Sequence, residues 1–171
     1  NFFNKNYQAS LSICKDLKPN NLKQKIQTLN LKIKNLDDLN KFSEVIDLYK
    51  EILSIEKDNH INYYNFGTFY YRVGDPKNAL VYLYKAFELK KDFPGLKWNI
   101  SLCELKLGNY KKGFSFYNYR WNSKGKKKKY QSIKELKNIK DLTNARILFW
   151  GDGGYGDNMQ FSRFVNYLSN Q

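Results

Sequence analysis

His60-Ile-Asn-Tyr-Tyr-Asn-Phe-Gly67-Thr-Phe-Tyr-Tyr-Arg72-Val-Gly74-Asp75-Pro76-Lys-Asn-Ala79-Leu-Val-Tyr-Leu83-Tyr-Lys-Ala86-Phe-Glu-Leu-Lys-Lys-Asp-Phe93 is the stretch that decides the fold. Its centre is a turn: Gly74 closes one helix, Asp75 can cap the next, and Pro76 suits a first helical position. Two antiparallel helices joined this tightly need small residues where they cross, and Gly67, Ala79 and Ala86 supply them. Tyr63, Phe66, Tyr70 and Leu83 are the large side chains that fill the groove on either side.

The same features return thirty-four residues later, pairing Gly74 with Gly108, Ala79 with Gly113, Leu83 with Tyr117 and Asn65 with Asn99. That period in a helix-turn-helix unit is the signature of the tetratricopeptide repeat. The units run 26–59, 60–93 and 94–127, with a partial one at 1–25. In unit 94–127, Gly108-Asn109-Tyr110 forms the turn, and Trp98, Leu102, Leu105, Tyr110, Phe114, Tyr117 and Trp121 are expected to line the buried faces. Unit 26–59 has Ile33 where the small residue belongs, while Phe42, Val45, Tyr49 and Ile52 keep the second-helix pattern. Residues 3–17, with Tyr7, Leu11 and Cys14 on one face, read as the second helix of the partial unit, and Asn20–Lys25 as an insertion. The expected fold is all-α, a superhelical solenoid of about three and a half repeats.

Such a solenoid presents the first helices on a concave surface, which by the repeat's geometry carries Asn30, Lys34, Ile61, Tyr64, Thr68, Tyr71, Trp98, Leu102 and Leu105. Tyr64, Thr68, Tyr71, Trp98 and Leu102 form the expected groove for a protein or peptide partner, the aromatic faces acting as clamps. Packing of these rings on a neighbouring segment is the competing use. Gly95 and Asn99 stand where a carboxylate-clamp groove would need basic groups, so that binding mode is excluded.

The 171 residues carry a formal charge of +14. Twenty-six of the thirty cations are Lys, whereas phosphate and base recognition favours the bidentate guanidinium. A nucleic-acid partner is therefore not expected, and the surplus reads as a solvated surface. The run Lys124-Gly-Lys126-Lys-Lys-Lys129 belongs to a Lys-rich linker at 123–144, with anionic lipid as its minor alternative role. Cys14 and Cys103 stand far apart without CxxC neighbours, so no metal site and no disulfide scaffold is expected, and a reducing cytoplasm fits. No apolar run is long enough to span a membrane. The chain opens on Asn1 without a leader, and reads as a piece of something longer.

Past the linker, Ile147-Leu-Phe-Trp150 reads as a buried strand, Gly151-Asp-Gly153-Gly154-Tyr-Gly156-Asp157 as a loop, and the residues through Arg163 to Leu168 as a helix. Asp157-Asn158 is expected to cap that helix, with Met159, Phe161, Phe164, Val165 and Leu168 as its apolar positions. The glycines let backbone approach a ligand, although the spacing is neither GxGxxG nor a P-loop.

The string Ala145-Arg-Ile-Leu-Phe-Trp-Gly-Asp-Gly-Gly-Tyr-Gly-Asp-Asn-Met-Gln-Phe-Ser-Arg-Phe164 resembles a segment of bacterial proteins in which tetratricopeptide repeats precede a glycosyltransferase domain. That domain is related to the heptosyltransferases of glycosyltransferase family nine, and the preceding repeat ends like Tyr117-Asn118-Tyr119-Arg120-Trp121. The resemblance implies that 145–171 begins a Rossmann-like domain of GT-B type, transferring a sugar from a nucleotide-sugar donor to a hydroxyl acceptor such as a glycan, without metal. It implies Asp157 as general base and Gly153, Gly154, Gly156, Asn158, Gln160 and Arg163 as acceptor-side contacts. Asp152 and Gly153 depart from the usual Glu and larger polar residue. Donor-binding parts would lie beyond Gln171, so the chain alone is expected to be inactive. The alternative is a non-enzymatic adaptor built on the same repeats.

Overall fold

The computed structural model describes residues 6–7, 9–10, 12–13, 19–122 and 154–169. Backbone contacts divide the chain into two compact units, Asn1–Lys129 and Tyr130–Gln171, the break falling within the Lys-rich stretch 123–144. All regular structure among the described residues is helical. The expected strand Ile147–Trp150, together with Gly153, Leu11 and Cys14, lies outside them.

In the first unit, α1 (Leu22–Asp38) pairs with α2 (Phe42–Ile55), α3 (His60–Arg72) with α4 (Pro76–Leu89), and α5 (Leu96–Lys106) with α6 (Tyr110–Tyr117). A 3-10 turn, Asn118–Asn122, closes the series. Three-residue connections within each pair force antiparallel hairpins. Successive hairpins also touch, α2 on α3 and α4 on α5, and the first helices α3 and α5 meet directly.

One turn geometry is used three times. Asn40, Gly74 and Gly108, spaced by the period, have φ of 57°, 91° and 81°. After each, the N–H of Lys41, Asp75 or Asn109 donates to the carbonyl of Leu36, Tyr70 or Glu104, and that of Asn40, Gly74 or Gly108 to the carbonyl of Asp37, Tyr71 or Leu105. These are the paired bonds of a Schellman motif, which satisfy carbonyls that the ending helix would otherwise leave open. Asn is the non-glycine residue best suited to left-handed backbone, which is why unit 26–59 closes without glycine. Asn40→Val should therefore cost about 1–2 kcal/mol, while Asn40→Gly should melt at or above the native temperature. Equal melting of the two variants would show that the turn does not need left-handed backbone.

The hairpins differ at their crossing. In α3 and α4, Gly67 faces Ala79: a Cβ on Gly67 would stand 2.7 Å from Leu83 Cγ and 3.0 Å from the Ala79 carbonyl oxygen. One period on, Ser101 replaces Gly67 and Gly113 replaces Ala79, and buried Ser101 Oγ donates to the Gly113 carbonyl at 2.8 Å. The side-chain bulk has moved to the other helix and gained a hydrogen bond. In the first hairpin both places carry branched side chains, Ile33 and Val45, both buried. Two clusters form the core, one around Leu29, Ile33, Leu36, Val45, Ile52, Phe66 and Phe69, the other around Ala79, Leu83, Ala86, Leu96, Ile100 and Cys103. Burial pushes the free Cys103 thiol up to about 12.

Several expectations need correction. The extra residues at Asn20–Lys25 are taken up by α1: Asn21 Oδ1 accepts from the Gln24 N–H at 2.8 Å, the helix starts at Leu22, and it is about one turn longer than α3. The described positions of 6–13 are helical as expected, and Ser10 Oγ accepts from Asn35 Nδ2 at 2.7 Å. Tyr110 and Phe114 are not buried but 64% and 60% exposed, because among the described elements only the backbones of α5 and the 3-10 turn pack on α6. Leu96, Ile100, Ser101, Cys103 and Glu104 bury instead.

In the second unit, α7 spans Tyr155–Ser169. It starts before Asp157-Asn158, since the Asn158 N–H already bonds the Gly154 carbonyl at 3.1 Å. Those two residues therefore sit in the first turn rather than capping it, and Gly156 belongs to the helix rather than the loop.

Candidate functional site

The groove residues expected on the first helices are only partly brought together. Asn99 on α5 reaches back to α3, donating from Nδ2 to Tyr64 Oη at 3.1 Å and to Thr68 Oγ1 at 3.2 Å. Thr68 Oγ1 in turn donates to the Tyr64 carbonyl at 2.8 Å, one helical turn back. Tyr64, Thr68 and Asn99 thus form one linked polar patch across two hairpins. It is also tightly seated: the Tyr64 ring meets Phe93 edge-on at 4.9 Å, and a Cβ on Gly95 would stand 3.0 Å from Tyr64 Oη. Gly95, at φ 81°, starts α5 in left-handed backbone beside that hydroxyl.

Tyr71 and Trp98 have other neighbours. Lys106 Nζ stands 5.4 Å from the Tyr71 ring centre, and Trp98 meets Tyr117 of its own hairpin edge-on at 5.2 Å. Leu102, like these rings, is half-buried. Leu105 does not face a groove: its Cγ would lie 2.6 Å from a Cβ on Gly113, so it packs toward α6. Asn30, Lys34 and Ile61 are exposed.

The cations at the ends of first helices recur in register. Arg72 pairs with Asp37 of the preceding hairpin, and Lys106, one period on, lies against Tyr71. A carboxylate accepts the cation at one step and an aromatic face at the next. Beside this pair, burial and then the Asp37 charge push Tyr49 up to about 12.

Sequence reasoning missed one buried ionised cluster. Glu104, 2% exposed, accepts from Tyr84 Oη at 2.6 Å and Asn109 Nδ2 at 2.8 Å, and pairs with Lys112 Nζ at 2.9 Å. Burial pushes its carboxyl up, but the hydrogen bonds from Tyr84, Lys112 and Asn109 outweigh that and hold it below the usual range. Tyr84 lies on α4, so the cluster ties the last two hairpins together. A signal existed: Glu104 stands where the period places Leu36 and Tyr70, both core-facing. A second site lies at the start of α5, a cleft of about 150 Å³ lined by Lys91, Asp92, Phe93, Pro94, Gly95, Lys97 and Tyr119. Lys97 Nζ sits 4.3 Å from the Tyr119 ring centre there.

The residues expected to bind an acceptor stand on or just before α7. Gly154 precedes the helix and is exposed, as are Gly156, Asn158, Gln160 and Arg163. Asp157 occupies the third helical position. Tyr155 and Met159 are 92% and 78% exposed. Asp157, Gln160 and Asn158 share one short helical segment, and Arg163 follows at a spacing that returns it to the side of Gln160.

Among the described residues no His, Cys, Asp and Glu side chains gather into a metal-sized group. No helix among them is long and apolar enough to cross a membrane. No protein-family profile matches the chain, and a search of curated proteins finds no match either.

Proposed function

We propose that the helical hairpins are a tetratricopeptide-type solenoid serving as the interaction region of a glycosyltransferase, which moves a sugar from a nucleotide-sugar donor to a hydroxyl acceptor. The observation that carries the solenoid is the threefold left-handed turn at Asn40, Gly74 and Gly108 with the same two closing bonds each time. Stacked units of this kind leave the first-helix face open, and Tyr64, Thr68 and Asn99 give that face an ordered centre for a protein or peptide. The free, buried Cys103 suits work in a reducing cytoplasm.

The transferase part rests on the resemblance of Ala145–Phe164 and of the Tyr-Asn-Tyr-Arg-Trp end of the last repeat. In this reading Asp157 is the general base toward the acceptor hydroxyl. Its backbone stands in the first turn of α7, the end of a helix at which an acidic residue is favoured.

The test is Asp157→Asn in the full-length product of the gene that encodes this chain. Sugar transfer should vanish while circular dichroism and melting stay native. Near-normal transfer would refute the base assignment. The second reading, an adaptor without enzymatic activity, is favoured by the fact that the linked patch of Tyr64, Thr68 and Asn99 is complete within α3 and α5. It requires partner binding with no transfer in the native full-length protein under any donor.

A further inference from the structure

The hairpins are not joined to one another alike. Between the second and third, α4 and α5 make extensive backbone contact, and α3 meets α5 as well. Between the first and second, α2 and α3 touch over much less of their length, and the backbones of α1 and α3 do not approach. The repeat register supplies a reason. Buried Ala86 of α4 shares a cluster with Leu96 and Ile100 of α5; one period earlier its place belongs to Ile52, buried in a cluster with Phe66 and Phe69 of α3. A branched side chain in place of a methyl, set against rings, holds helix axes further apart.

The bonds across the two junctions differ in kind. At the close one, Asn99 of α5 donates to Tyr64 and Thr68 of α3, and Tyr84 of α4 donates to buried Glu104 of α5. Among the described residues the open one is filled by rings: Tyr49 stacks on Phe66 with centres 4.7 Å apart, and Phe42 meets Phe69 edge-on at 6.0 Å. Ring pairs keep their attraction over a range of separations and tilts, whereas a hydrogen bond weakens steeply once its angle is lost. The polar contacts of the open junction stand at its two ends. At the connecting end, Glu56 accepts from Asn62 Nδ2 of α3 at 2.7 Å. At the far end, where α1 and α3 finish, Arg72 pairs with Asp37, and the Arg72 side chain is half exposed. An ion pair so placed holds weakly.

We propose that the α2–α3 junction is the joint of the solenoid. The first hairpin swings as one body about the connection 56–59, with Arg72 on Asp37 as the latch at its free end, while the second and third hairpins stay fixed to each other. Tyr64, Thr68 and Asn99 lie wholly within the fixed pair, so the linked patch keeps its geometry and the wall beside it, α1 and α2, adjusts. The joint follows from packing among the described helices and holds whether or not the parent protein transfers a sugar.

Ser43, Lys77 and Lys111 are exposed, one period apart, at the starts of the three second helices, the end away from the pivot. Spin labels on cysteines placed at 43 and 77 report the open junction, and at 77 and 111 the close one, in the whole chain with Cys14→Ser; buried Cys103 is shielded from the label. The distance distribution for 43 and 77 should be at least about twice as wide as that for 77 and 111, as hinge motion confined to one junction requires. Arg72→Met should widen the first distribution further and leave the second unchanged, with native helicity by circular dichroism. Equal widths, or a wider distribution for 77 and 111, overturn the joint. An unchanged 43 and 77 distribution in Arg72→Met overturns the latch, and widening of both distributions overturns the fixed pair.

Discussion

Replacing Gly67 by valine is expected to lower the melting temperature by about 10 °C or more, which corresponds to roughly 3 kcal/mol of overpacking in a domain of this size. Even the first added carbon would meet Leu83 Cγ at 2.7 Å and the Ala79 carbonyl oxygen at 3.0 Å. Leu83 is fully buried and the carbonyl is backbone, so neither can retreat unless α3 and α4 part. The Ser101–Gly113 crossing suggests the remedy. Gly67→Ser alone should destabilise, and adding Ala79→Gly should recover part of the loss by opening room and letting the new hydroxyl reach the carbonyl at position 79. The recovery is incomplete because glycine inside a helix costs about 1 kcal/mol relative to alanine. Thermal melts of the four proteins decide it. Native melting of Gly67→Val would mean that the helices separate freely, contrary to a crossing built on small residues.

Glu104→Leu should cost about 2 kcal/mol, because it leaves Tyr84, Asn109 and Lys112 without their common acceptor. Acid should act on the native protein in the same way. The folded carboxyl lies below the ordinary value of 4.5, so its contribution is complete above that value and is lost as pH falls through the lowered folded one. Denaturation curves of native protein and Glu104→Leu should thus differ most above pH 4.5 and converge below it. Curves that stay equally far apart down to the lowest pH would show that the carboxylate charge is not what the cluster uses.

Much of the helical architecture was legible because turns and crossings depend on few residues. Gly74-Asp75-Pro76 reads as a turn, and Asp75 Oδ1 accepts from the Asn78 N–H at 3.0 Å as a cap should. Gly67, Ala79 and Ala86 read as small contacts, and Ala79 and Ala86 are fully buried. What escaped were features set by compensation between distant residues. Ser101 and Gly113 look like two ordinary substitutions until they are seen to face each other. Glu104 looks like a surface charge, since its partners stand five and eight residues ahead and twenty behind. Tyr110 and Phe114 have the apolarity of core residues, yet among the described residues no helix packs on their side of α6. Around 151–158 the many glycines suggested a longer loop. A helix accepts Gly156 at modest cost, and the described backbone is helical from Tyr155. At the candidate groove, the first-helix positions of Tyr64 and Thr68 followed from periodicity. That Asn99 would link them did not, because the link depends on how far one hairpin is offset from the next.

The three unlike crossings carry a consequence for how the chain acquires its structure. All three turns close locally, with bonds spanning three to five residues, so each hairpin can nucleate without waiting for distant contacts. The crossings are not equally close, however: α3 and α4 make the most extensive backbone contact and α1 and α2 the least. Residues 60–89 are then the natural seed, and the flanking hairpins condense onto it in both directions, as a one-dimensional array propagates from its most cohesive unit. On this expectation Gly67→Val slows folding as well as loosening the pair, and an unchanged folding rate would place the seed elsewhere.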